Sequence, residues 1–294
     1  MKRITITIAI LLLIICLAPV FGGAGSQGAG QQAQVVDEYY DLLILGLDKR
    51  PGEKNGRSDV ILIMHCEPGR VTLFSIPRDT VVPIKRRRDK INAAYSWGGI
   101  ALAKTTIENF LKFKVDNYLI LDFDTFKKTI DVVKMLTDNG RLIGAENFLI
   151  SGDNLLKWLR WRYLPGGDIR RCQRHQLFMM RVFDYTMNMY SRQRKLFEQC
   201  VKAGLKVANT DLTYEHVAQL YETYKNINLD KDVERYVLPG HGKAYYEAED
   251  ATSEQVLTGW YYYSKYNWSL ETYIKWYRKN NMKMNYVESD ALRK

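Results

Sequence analysis

The chain has 294 residues, of which 46% are hydrophobic and 26% charged, and a formal net charge of +10. That balance excludes disorder over most of the length and leaves room for one substantial core. The excess of cations favours anionic partners, whether nucleic acid, lipid headgroups or phosphorylated substrates, and does not choose among them.

Lys2 and Arg3 open the chain, and residues 4–21 follow without a charge. That length suits a single membrane span or the apolar region of a signal peptide. Residues 22–37 are rich in small residues and read as a flexible linker or a cleavage region. On both readings the cations stay inside and the body is exported. The expected location is therefore the cell membrane, single-pass with the N-terminus inside, or the exterior if the segment is cleaved. Cys16 lacks a small residue just before it, which argues against lipid modification. Cys66, Cys172 and Cys200 remain in the body; an odd number without a CxxC pair suggests neither a disulfide framework nor zinc.

Apolar runs at 41–46, 59–64 and 70–76 predict buried strands. Residues 80–90 contain KRRRDK and read as an exposed loop, a solvated one or one that contacts anionic groups. A helix is predicted over 100–113, a fourth strand over 118–123 and another helix over 125–136. Residues 152–162 read as a short helix leading into a strand or turn. Asp168 stands where an N-cap belongs, before a long helix over 169–194. Further helix and loop follow, with one strand at 233–238. From 258 the chain turns aromatic, WYYYSKYNW and then WY, and this part either packs on the core or forms an interface. Strands mixed with helices predict an α/β fold, a central mixed sheet sandwiched between helices.

Polar residues cluster at the predicted strand ends. Asp48 and Arg50 follow the first strand, Arg57, Ser58 and Asp59 open the second, and Arg78 and Asp79 follow the third. If the first and third strands run parallel, these residues share one edge, where α/β sheets tend to bind ligands. Two carboxylates among arginines suit a divalent metal bridging phosphate oxygens. Arg160 and Arg162 alternate, so an extended segment presents them on one face. Arg171 and Arg174 are three apart in the first turns of a helix, a poor place for cations unless an anion binds there.

The series GLDKR, RSD, SIPRD, DKINAAYSWGG, ISGDNLLKWLRWR and GGDIRRCQRHQ, in this order, resembles the LytR-CpsA-Psr family over roughly residues 40–250. The expected organisation is residues 38–257 as the catalytic domain that the resemblance implies, 1–21 as anchor or signal, 22–37 as linker, and 258–294 as an aromatic-rich extension outside the resemblance. It implies transfer of a phosphoglycan, such as teichoic acid or capsule, from a polyprenyl-pyrophosphate carrier to peptidoglycan. Asp48 and Asp59 would be ligands of Mg²⁺, or of Mn²⁺ in its place. Arg78, Lys90, Arg160, Arg162, Arg171 and Arg174 would hold the pyrophosphate, supported by Arg50 and Arg57. Arg78, Asp79 and Asp168 would form the catalytic group, with Asp79 or Asp168 as the base. His175 stands where the family carries Gln, and either donates to phosphate or turns inward. The segment between Asp131 and Ser151 is short for the family, which bears on the shape of the lipid pocket. Four arginines held close repel one another, so the empty clamp is expected to be strained, and Arg171→Ala to stabilise the empty protein while weakening substrate binding.

A pyrophosphatase or a non-catalytic binder of the same lipid-linked glycan would use the same residues. Pure anion binding sits badly with the paired carboxylates. Transcriptional regulation sits badly with an exported body and with the lack of a clear helix-turn-helix, so the expected partners are the lipid-linked glycan, peptidoglycan and membrane, with no nucleic acid.

Overall fold

The apolar runs of the first half become neighbouring strands in the computed structural model, which describes residues 39–48, 55–122, 157–160, 167–205, 208–247, 256–280 and 282. The described elements are β1 (Tyr40–Asp48), β2 (Arg57–Glu67), β3 (Arg70–Ser75), β4 (Val81–Ile84), β5 (Arg87–Lys90), α1 (Ala93–Leu111) and β6 (Asn117–Asp122). They continue with α2 (Gly167–Arg192), α3 (Arg194–Leu205), β7 (Asn209–Thr210), α4 (Tyr214–Tyr224), β8 (Val233–Val237), β9 (Gly240–Glu247), β10 (Val256–Ser264) and α5 (Leu270–Lys279). A helical turn stands at 157–160.

The central sheet runs in the order β7-β6-β1-β2-β3-β8. It is mixed: β1 pairs with β6 and β3 with β8 in parallel, while β1–β2, β2–β3 and β6–β7 are antiparallel. β1 and β3 therefore point the same way, as expected. Their carboxyl ends, those of β6 and β8, and the amino end of β2 share one edge.

Side chains alternate along each strand, so both faces of the sheet bury apolar groups. Leu42, Ile44, Leu62, Met64 and Leu73 pack under α2, α3 and α4 together with Phe178, Phe197, Leu220 and Tyr221. Leu43, Leu45, Ile61, Ile63 and Phe74 pack under α1 and α5 with Ile107, Leu111, Tyr273 and Ile274. Full burial of each such side chain contributes about 1.5–3 kcal/mol. The sandwich with helices on both faces is thus present.

The C-terminal aromatics pack on this second layer. Tyr277 stacks on Tyr236 with centroids 4.3 Å apart and donates to the Val237 carbonyl at 2.6 Å. Next to it, Arg278 reaches Glu234 at 2.8 Å and also binds Glu67. β10 runs across residues 257 and 258, and Tyr262 on it is buried.

Several expectations are corrected. Residues 80–90 form an antiparallel hairpin, β4 paired with β5, because Val82 and Ile84 alternate inward while Lys85 to Arg88 stay exposed. α1 begins at Ala93, well before residue 100, and absorbs Gly98 and Gly99 as a kink; Gly99 takes φ +60, which glycine tolerates. Asp168 lies inside the first turn of α2, one residue past Gly167 with φ +45, and not at its N-cap. That helix ends at Arg192, and α3 follows as a separate helix. β9, in the Gly-rich stretch 240–247, was not anticipated. The helix expected at 125–136 and the short segment 131–151 lie outside the described residues, as do residues 1–37. Among the described residues no helix is long and apolar enough to cross a membrane.

Candidate active site

The site forms at the shared strand edge. The β1–β2 register shifts between Gly46 and Leu47: Val60 sits opposite Gly46 and Ser58 opposite Leu47, so Asp59 is the extra residue of a bulge. Bulges re-aim side chains, and this one gives Asp59 a position the regular ladder would not. Gly46 is required beside it, because a Cβ there would lie 2.8 Å from Val60 Cβ and Cγ2.

Arg78, just past β3, bridges Asp59 and also lies 3.6 Å from Asp79 and 4.0 Å from Asp168. Lys90, at the end of β5, holds Asp79 at 2.8 Å. Arg171, 3% exposed, enters from the first turns of α2: it meets Asp168 at 2.6 Å, Asp59 Oδ2 at 3.9 Å and the Asp59 carbonyl at 3.2 Å. Three carboxylates and three cations thus alternate within one cluster. Beside it, exposed Arg160 pairs with Asp48 at 3.2 Å, and Arg57 lies opposite Asp48 in the ladder, exposed.

The alternation changes the electrostatic expectation. The cations do not face one another uncompensated, because Asp59, Asp79 and Asp168 stand between them. At Arg171 the strain expected of an empty arginine clamp is therefore relieved within the protein, and Arg171 is bound into the folded state. Burial opposes the charge of Arg78, yet Asp59, Asp79 and Asp168 outweigh it and hold its pKa above the ordinary guanidinium value. Burial raises the Asp168 pKa above the usual carboxylate value, against the pull of Arg171 and Arg78. One of its oxygens, Oδ2, is buried and has no hydrogen-bond partner among the described residues.

Other residues of α2 turn inward. Arg174 is fully buried. His175 Nε2 lies 3.2 Å from the Leu159 carbonyl, so of its two possible roles the structure has the inward one. Burial, with Arg171 and Arg174 close by, pushes its pKa down to about 3, and it is neutral at pH 7. Gln176 donates to the Leu73 carbonyl at 3.1 Å, Ser75 Oγ at 2.8 Å and the Tyr236 carbonyl at 2.6 Å, which fixes the start of α2 on the sheet. Burial pushes the Cys172 thiol well up, so it is no nucleophile. An apolar cavity of about 60 Å³ lies beneath the edge, lined by Ile44, Val60, Leu62, Phe178 and His175 among others.

The structure thus gathers Asp59, Arg78, Asp79, Lys90, Asp168 and Arg171 into one cluster, with Asp48 and Arg160 paired at the same edge. Arg50 and Arg162 lie outside the described residues. Two contributors escaped the sequence reading. Asn92 Nδ2 donates to Asp59 Oδ1 at 3.4 Å, and its signal was its place two residues after Lys90. The Tyr262 N–H donates to the Asp79 carbonyl at 2.9 Å, and no local pattern announces that contact.

A family model, described as the LytR_cpsA_psr family, matches residues 25–267. A relative from Bacillus anthracis, named polyisoprenyl-teichoic acid–peptidoglycan teichoic acid transferase TagU, is 30% identical over 239 residues, covering 77% of this chain and 74% of that one. The crystal structure of B. subtilis TagV superposes with a TM-score of 0.59 at 23% identity, covering 83% of this chain and 96% of that one. A structure titled TagT bound to LIIa-WTA superposes with a TM-score of 0.57 at 19% identity, covering 82% of this chain and 89% of that one.

Proposed function

This chain belongs to the LytR_cpsA_psr family, and we propose that it is a phosphotransferase that moves a phosphoglycan from a polyprenyl-pyrophosphate carrier to peptidoglycan. The observation that carries this reading is the cluster at the strand edge, where Arg78, Lys90 and Arg171 are held in fixed positions by Asp59, Asp79 and Asp168. Phosphoryl transfer asks the protein mainly for positioning and charge neutralisation, and preorganised cations supply both. The name of the TagU relative describes the same kind of transfer.

In the reaction an acceptor hydroxyl oxygen attacks the phosphorus nearest the sugar. The bond from that phosphorus to the bridging oxygen breaks, polyprenyl phosphate leaves, and the hydroxyl proton passes to a carboxylate. Asp168 is suited to take it: burial raises its pKa, its side chain keeps 21% exposure, and Arg171 fixes one oxygen at 2.6 Å. Asp79, held by Lys90, instead orients the cations. Arg78 and Arg171 supply the guanidinium charge that the pyrophosphate oxygens meet. Arg160 adds to that grip from the rim, and the apolar cavity under α2 receives the first part of the lipid.

Asp48 and Asp59 would hold Mg²⁺, or Mn²⁺ in its place. Among the described residues no group of three or more His, Cys, Asp or Glu is arranged for a metal, but a hard cation needs only one or two carboxylates when phosphate oxygens and water complete its shell. The pair between Asp48 and exposed Arg160 exchanges at little cost, as surface pairs do. Asn92 Oδ1, buried beside Asp59, has no hydrogen-bond partner among the described residues, an oxygen donor that suits a cationic ligand at this edge. Once bound, the cation would neutralise phosphate charge as the leaving group departs.

The basic start and uncharged run of residues 2–21 support an extracytoplasmic body tethered at the membrane. The reading is tested by incubating the full chain with a lipid-linked glycan and peptidoglycan. Glycan phosphate joined to the wall polymer, with polyprenyl phosphate released, is the expected outcome. Free glycan phosphate in equal yield without acceptor would replace it with a pyrophosphatase.

A further inference from the structure

Beside the catalytic edge lies an open groove of about 870 Å³, walled by the β4–β5 hairpin, one flank of α1 and the turn from β10 to α5. Its charge is one-sided. Lys85 and Arg88 enter from the hairpin, Lys112 from the end of α1 and Lys265 from the turn, and among the described residues lining it none is a carboxylate. Aromatic faces lie between these cations. Tyr266 is stacked flat on Trp268, with centroids 3.8 Å apart and planes 6° apart, so its ring is a rigid platform. Lys265 Nζ stands 5.2 Å over that ring, and Phe110 lines the opposite wall. The groove floor is braced by Lys112, which donates to the Asn267 carbonyl at 2.9 Å.

The hairpin joins this groove to the reaction centre. Its register pairs Val81 with Lys90 and Pro83 with Arg88, so these four residues share one face. Val81, Pro83 and Arg88 line the groove, and Lys90, two residues beyond Arg88, holds Asp79. The spacing of two strand residues is about 7 Å. An extended ligand can therefore leave the phosphate site along the hairpin without crossing an acidic surface.

We infer that this groove binds the anionic glycan chain of the wall polymer as it runs away from the pyrophosphate. The inference rests on the phosphotransferase reading and assigns a subsite to it. Spaced cations answer repeating phosphate or carboxylate groups, and the tyrosine platform answers the apolar face of a sugar ring. A neutral glycan would not answer the cations Lys85, Arg88 and Lys265. A flat membrane surface would meet the exposed hairpin tip, Lys85 to Arg88, and would not need the half-buried Tyr266 ring.

The test uses the full chain in detergent, titrated with a soluble poly(glycerol phosphate) oligomer, neutral dextran and phosphatidylglycerol vesicles. The oligomer binds wild type with a Kd that rises with salt, and dextran does not bind. The triple variant Lys85→Ser, Arg88→Ser, Lys265→Ser weakens oligomer binding by about tenfold or more at low salt. Tyr266→Ala also weakens it, with the salt dependence unchanged. For a donor carrying one sugar the triple variant keeps wild-type turnover, while KM rises for a donor carrying a long anionic chain. Wild-type affinity for the oligomer in the triple variant overturns the inference, and so does loss confined to vesicles. If wild type turns over no donor at all, the phosphotransferase reading fails, and the oligomer titration still decides the groove.

Discussion

Replacing Arg171 by Ala separates two views of the cation cluster. If the arginines chiefly repelled one another, the variant would be more stable than wild type. The geometry says otherwise, since Arg171 is 3% exposed, meets Asp168 at 2.6 Å and donates to the Asp59 carbonyl at 3.2 Å. Removing one partner of a buried pair costs about 3–5 kcal/mol. The Asp168 side chain keeps 21% exposure and Arg78 remains 4.0 Å away, so the lower end, about 3 kcal/mol, applies. For a domain of this size that loss lowers Tm by roughly 6–12 °C. The pH dependence adds a second check. The folded-state pKa of Asp168 is raised, so the native state holds more protons than the unfolded chain just above the usual carboxylate pKa, and stability falls as pH rises through that window. Without Arg171 the pKa rises further, and the loss with rising pH deepens. The gap between variant and wild type is thus larger near neutrality than in mild acid. Melting both proteins at pH 4.5 and pH 7 measures it. A variant as stable as wild type at neutrality, or a gap that widens in acid, would refute the compensated cluster.

Gln176→Leu removes the two N–H donors shared among three acceptors and leaves buried carbonyls without their donor, at about 2–4 kcal/mol by denaturant titration; a change below about 0.5 kcal/mol would show that packing alone fixes α2 on the sheet. Asp48→Ala breaks only an exposed pair, so stability shifts by less than about 1 kcal/mol, while turnover at limiting Mg²⁺ falls at least about a hundredfold; wild-type turnover would move the metal elsewhere. His175 has its folded pKa lowered to about 3, so the native state binds fewer protons than the unfolded chain between there and the usual imidazole value, and stability is lost as pH falls through that range. His175→Gln is therefore the less acid-sensitive protein in a melting series from pH 7 to pH 4, and an unchanged acid slope would mean that the ring reaches solvent.

Much of the sheet was legible because its inner strands are buried on both faces and read as unbroken apolar runs, such as Leu42 to Leu45 and Val60 to Met64. The β4–β5 hairpin was not, because only Val82 and Ile84 face inward and four successive cations mask their alternation. The start of α1 was hidden by Gly98 and Gly99, which usually end a helix and here only bend it. At the site, positions at strand ends and a helix start pointed to Asp59, Arg78, Asp79 and Arg171, and the family resemblance added Lys90 and Asp168. Which carboxylate meets which cation depends on the bulge at Asp59 and on the docking of α2, long-range facts with no local signature. The same holds for His175, whose inward turn depends on the carbonyl of Leu159 above it.

The last helix has a consequence for how the protein is made. Leu270, Tyr273, Ile274 and Tyr277 of α5 cover the same face of the sheet as Phe74 and Tyr236, strands laid down far earlier in the chain. α1 covers part of that face, and until α5 arrives the part over β3 and β8 is an open apolar surface. The layer over β3 and β8 is therefore completed only once residues near 280 have emerged. A product truncated before α5 would display the same surface permanently, a mark that chaperones and proteases can recognise.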